Sequence, residues 1–265
     1  MPESALIALA SSPVPEWAVH WARQVEHALA PARSVIEPIL ASWWTLGIWL
    51  TVNLLSLGVL WWDLEKRNQN IPSLMKFVWS LVVSYSGPFG LTVYWYTGRT
   101  QLQSDSLWKQ GFRSTSHCYS GCGIGEVIGI TATTIILSFS TLWVVATTFT
   151  LAFIGGFALT VGPLMQEGVG FKEATWDAIW SETPSITIME IVAIGTDLLL
   201  AGDAGWTTPL FWTALLFSLT IGFFAAYPVN VVLITAGIKE GMDNPAEMDG
   251  SASGSSSGGQ GSTAD

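Results

Sequence analysis

The sequence predicts an all-α fold: a polytopic membrane helix bundle of about six transmembrane helices, preceded by an amphipathic helix. Three observations carry this. Half of the 265 residues are hydrophobic and only 11% are charged, whereas soluble domains carry roughly 25% charged residues. The apolar residues fall into runs of about 20, the length a helix needs to cross the hydrocarbon core. Fifteen tryptophans flank many of these runs, as Trp43, Trp44, Trp61 and Trp62 do, where an amphipathic ring sits between water and lipid.

Residues 1–39 form the first segment. "MPESALIALASS" fails as a secretory signal, because its start is acidic and its apolar run is too short. "PEWAVHWARQVEHALA" predicts an interfacial amphipathic helix with Trp17, Trp21, Val25 and Leu29 toward lipid, and with His20 and His27 as ordinary interfacial groups.

Residues 40–240 form the six-helix domain. The first span is Leu40 to Trp62, closed by the charged turn "DLEKRN". The second is Ile71 to Tyr96, where Gly87-Pro88 predicts a kink. After a polar connector, the third span runs from Cys118 to about Phe139. The fourth is Thr141 to Leu164, the fifth Trp176 to Leu200 and the sixth Pro209 to Gly237. Residues 241–265 read as a disordered acidic Ser/Gly tail, unable to bury apolar area.

Basic residues near span ends predict orientation. With a cytoplasmic N-terminus, six spans put Arg23, Arg33, Arg99, Lys109, Arg113, Lys172 and Lys239 inside, and Lys66, Arg67 and Lys76 outside. That split favours a plasma-membrane protein with both termini cytoplasmic. The net charge of −10 argues against nucleic acid as a partner and suits the high-salt cytoplasm of a halophile. The expected partners are the lipid bilayer, a metal ion, and a second membrane protein or a second copy of the chain.

Two features concentrate chemistry. The only two cysteines, Cys118 and Cys122, follow His117 in "RSTSHCYSGCGIGEVIGI". Two cysteines make no disulfide scaffold. Thiolates four residues apart on a helix share one soft metal ion, an adjacent imidazole is a further ligand, and copper(I) suits all of them. The same spacing serves a thiol redox pair, or simply packs. The second feature is a set of acidic residues within spans, where ionisable side chains usually face the bundle interior. Cys118, Cys122 and Glu126 fall within about 80° of helix surface, as do Glu182, Glu190 and Asp197. Gly121, Gly125 and Gly129 predict a close helix contact. "YPVN", Tyr227 to Asn230, predicts a break inside the sixth helix, with Asn230 bonding a neighbouring helix.

The stretches "SHCYSGCGIGEVIG", "GPFGLTVYWYTGR" and "GFFAAYPVNVVLITAGIKEGM" resemble an uncharacterised membrane family, known only as domain of unknown function 4396. The resemblance implies an integral membrane protein and no particular activity. His117, Cys118, Cys122, Glu126, Tyr227, Pro228, Asn230, Lys239 and Glu240 match the pattern. In the fifth span "WSETPS" keeps an acid, Glu182, but lacks the family's lysine. The family's Pro-Met after the fourth span is here Pro163-Leu164-Met165, which displaces Met165 as a thioether ligand.

Together these features predict handling of a transition metal, copper foremost, by His117, Cys118, Cys122 and Met165. The intramembrane polar residues Glu126, Glu182, Glu190, Asp197 and Asn230 supply protons or a weaker relay. The alternatives are a membrane thiol oxidoreductase and a structural subunit without chemistry of its own. No residue is assigned as catalytic, and an enzyme is the less favoured reading.

Overall fold

The computed structural model describes residues 16–246, apart from 103, 138–139, 167, 203 and 243. The readings for residues 1–15 and for the tail beyond 246 lie outside the described residues, as does the placement of the Trp21 side chain.

Every described element is helical: α1 (Glu16–Leu40), α2 (Trp43–Lys66), α3 (Ser73–Ser86), α4 (Pro88–Thr97), α5 (Leu107–Thr131), α6 (Thr141–Gln166), α7 (Phe171–Leu200) and α8 (Pro209–Thr235). A π-helical turn, Ala132–Ile136, extends α5. Helix α1 leaves Trp17 and Leu29 exposed, as an interfacial helix would. It joins the bundle at its C-terminal end, where Leu40 packs with Leu200 and Ala214.

Among the described residues, five helices are long and apolar enough to cross a membrane: α2, α5 with its π turn, α6, α7 and α8. The expected second span is not among them. It is split into α3 and α4 at Gly87, whose φ of +54° suits glycine. A Cβ there would also strike the Asn53 side chain. The two halves form a hairpin that enters and leaves on the same face. Asn53, in the middle of α2, donates to the Ser84 carbonyl near the tip. At the other end the chain has returned: the Thr100 amide donates to Asn68 Oδ1 at 2.9 Å, and Trp79 stacks edge-on against Tyr94.

Asp63 clamps that return. It accepts from Asn68 at 2.7 Å, Tyr94 at 2.8 Å and Arg99 at 2.9 Å. The "DLEKRN" segment therefore contains a buried junction rather than only a solvated turn.

Counted as five crossings, these helices put Ser42 and Met242 at opposite faces of the bundle, whereas the six-span count puts both termini on one side. Lys66, Arg67, Lys76, Arg99, Lys109, Arg113, Lys172 and Lys239 now share one face, hereafter the basic face. Only Arg23 and Arg33, on α1, are elsewhere.

The centre of the bundle is the α5–α6 contact. Cβ atoms added at Gly121, Gly125 or Gly129 would meet the α6 backbone at Gly155, Leu151 and Thr148. These glycines let the two backbones touch, as the small-residue spacing predicts. Lipid-facing surfaces carry exposed apolar side chains, among them Trp44, Leu54 and Ile154.

Candidate functional site

Helix α5 begins at Leu107, eleven residues before the expected Cys118. Ser106 caps it by accepting from the Lys109 amide. Polar residues 113–116, expected in a loop, are buried in the helix; Arg113 and Thr115 find partners there, whereas the Ser114 and Ser116 hydroxyls have none. Arg113 is the main one. It donates to the Met242 carbonyl at 2.7 and 3.0 Å, to the Thr97 carbonyl at 3.3 Å and to Asp105 at 2.6 Å. It ties the hairpin, the connector and the segment after α8 together. Asn244, in the expected tail, is buried too. Burial opposes charge on Asp105, but hydrogen bonds from Arg113 and the Ser106 amide outweigh it and hold the pKa below the ordinary value.

The shift in helix start carries the His-Cys stretch inward. Cys118 and Cys122 are unpaired by any disulfide and buried, one turn apart with their sulfurs 4.0 Å from each other. Cys118 also approaches Ser185 Oγ of α7 at 3.9 Å. His117 does not join them. Successive residues on a helix point about 100° apart, and the His117 ring turns to α6, where Nε2 meets the Leu159 carbonyl at 3.1 Å. Met165 is exposed at the end of α6. Among the described residues, no group of three or more His, Cys, Asp and Glu is positioned to hold a metal ion. The expected four-residue donor set thus reduces to the two thiols.

Carboxyls line the same seam. Glu126 and Glu190 are fully buried, and no nitrogen or oxygen donor reaches any of their four oxygens. The polar neighbours of Glu190 are the thiols of Cys118 and Cys122. Glu126 stands within electrostatic reach of Glu190 and of Asp197. Residues at i, i+4 and i+8 on α5 thus face an acidic stripe on α7, as the helical spacing predicts.

Glu182 differs, because it has a cation. Lys239, just past the end of α8, places Nζ 2.7 Å from Glu182 Oε2 and 2.9 Å from Asn230 Oδ1. Thr160 donates to the other Glu182 oxygen at 3.2 Å. The acid that lacks the family's neighbouring lysine takes its positive charge from a residue 57 positions away. Asn230 is buried as expected, but its partners are Lys239 and the Ala226 carbonyl of its own helix. Helix α8 continues through Pro228 without interruption. Sequence spacing gave no signal of the Lys239 contact, which depends on the chain folding back after Gly237 at φ +68°.

The family model for a domain of unknown function, DUF4396, matches residues 107–239, from the first residue of α5 to Lys239. That is half of the chain, and the chain belongs to this family. No curated protein and no solved structure matches it.

Proposed function

We propose that this member of the family handles a soft monovalent metal ion, copper(I), inside the membrane, with Cys118 and Cys122 as its ligands. One observation carries the reading: two buried cysteine sulfurs, not joined in a disulfide, lie 4.0 Å apart. Metal–sulfur bonds of about 2.3 Å span up to about 4.6 Å between two sulfurs, so one ion fits between them with small side-chain movement. Copper(I) accepts two thiolates without further ligands, whereas zinc asks for four. The ion must displace two thiol protons, so its entry is coupled to proton release.

The surroundings suit a lipid-embedded role. Positive charge gathers on one face, which favours that face, and with it the C-terminal end of α8, as cytoplasmic. We place it in the plasma membrane.

The test is copper(I) titration of the purified protein, under reducing conditions, against a competing chelator. Wild type takes up one ion per chain. Cys118→Ser and Cys122→Ser each lower affinity by about 100-fold or more, since a monothiolate site loses half its soft donors. Met165→Leu leaves affinity unchanged. Equal, weak binding by wild type and both serine variants would overturn the metal reading. Ready formation of a Cys118–Cys122 disulfide in the folded protein, without copper binding, would favour the thiol oxidoreductase instead.

A further inference from the structure

A vestibule of about 290 Å³ opens between α5, α6 and α7 on the face opposite the basic one. Its walls include Ile130, Thr134, Thr148, Ile194 and Asp197. Two polar atoms on the wall are buried without a partner, Thr148 Oγ1 and Asp197 Oδ1. Thr148 is 1% exposed. A cavity of this size has room for several waters, and the two orphaned groups on its otherwise largely apolar wall are what ordered water satisfies.

The vestibule leads toward the thiols. Glu126 is one helical turn deeper than Ile130, and Glu190 one turn deeper than Ile194. Asp197, Glu126 and Glu190 therefore descend as steps, each within electrostatic reach of the next, ending at Cys118 and Cys122. On the basic side the seam is closed. Lys239 is buried between Glu182 and Asn230, a tethered cation where a mobile one would otherwise pass.

We propose that the vestibule is a one-sided water route toward the dithiol, running past Asp197, Glu126 and Glu190, with the Lys239–Glu182 pair sealing the opposite end. This rests on the metal-handling reading for what the protons accomplish. When one copper(I) ion binds, two metal–sulfur bonds form and two S–H bonds break. The two protons leave to the vestibule water. Without such a route, each displaced proton would be stranded in a medium that charges avoid.

Accessibility of engineered cysteines tests the route independently of metal. In a Cys118→Ser/Cys122→Ser background, single cysteines replace Thr134, Ile194 and Asp197, with Ala178 as the buried position near the basic face. Trp206→Cys and Trp108→Cys report the two exposed faces, and Ile154→Cys reports lipid. The protein is placed in sealed vesicles and treated with a charged, membrane-impermeant thiosulfonate. Thiolate chemistry needs water, so Thr134→Cys, Ile194→Cys and Asp197→Cys should react about tenfold or more faster than Ile154→Cys, and only from the Trp206 side. Ala178→Cys should stay unlabelled until Lys239→Ala is added. Size-exclusion elution of each variant identifies any that misfold, and the remaining wall positions decide. Vestibule positions reacting no faster than Ile154→Cys, or from both faces, would overturn the route. One-sided labelling with no copper binding by wild type would sink the metal reading and keep the route. Copper binding without labelling would do the reverse.

Discussion

Lys239 Nζ lies 2.7 Å from Glu182 Oε2, with 7% and 4% of the two side chains exposed. Breaking a buried pair strands one charge, which costs about 3–5 kcal/mol, whereas replacing both partners with neutral groups is often tolerated. Lys239→Met and Glu182→Gln should each lower the denaturation midpoint strongly in detergent. The double variant should recover most of the loss. Two independent, additive losses would show that the pair is not coupled.

The hairpin of α3 and α4 sets the topology. Epitope tags between residues 67 and 70, between 99 and 102, and after Met242 should all be reached from one face. A tag between residues 204 and 208 should be reached from the other. Opposite-side labelling of the first two tags would restore a crossing at Ile71–Tyr96 and reject the hairpin.

Gly125 faces α6 so closely that an added Cβ would collide with the Leu151 carbonyl. Backbone cannot yield as a side-chain tip can, so Gly125→Ala should destabilise by about 1–3 kcal/mol, the usual cost of overpacking. Gly195 has nothing within 4 Å of the added atom. Gly195→Ala should be neutral, or stabilise by up to about 1 kcal/mol through helix propensity. Comparing the two denaturation midpoints separates contact from propensity.

Asp105 has a lowered pKa through Arg113 and the Ser106 amide, against the opposing effect of burial. A group whose folded pKa is depressed stabilises the fold above its unfolded pKa, and that stability fades as pH falls through the folded value. Thermal stability should therefore drop as pH falls below the ordinary aspartate value of 3.8, and Asp105→Asn should start lower and flatten that drop. An unchanged acid limb in the variant would show that Arg113 holds its other partners without needing the charge.

Much of this molecule is legible in its residues alone. Apolar runs of membrane length, tryptophans at their ends and glycines four apart announce helices, their borders and the α5–α6 seam. The i+4 spacing of Cys118, Cys122 and Glu126 announces a shared face. These are local properties, set by hydrophobicity and by the 3.6-residue period of the helix.

What only the tertiary structure decided is where polar groups find partners, and that depends on residues far away in sequence. Residues 113–116 look like loop but are buried, because Arg113 finds Met242, Thr97 and Asp105. Apolar Ile71 to Tyr96 looks like a span but doubles back, because Asn53, Asp63 and Asn68 hold its tip and both its ends. Rotation about the helix separates His117 from the thiols that adjoin it in sequence. Chain reversal after α8 brings Lys239 to Glu182. Hydrophobic burial is additive along a segment and shows in composition, whereas a hydrogen bond or ion pair needs two specific groups within about 3 Å, which only the folded chain brings together.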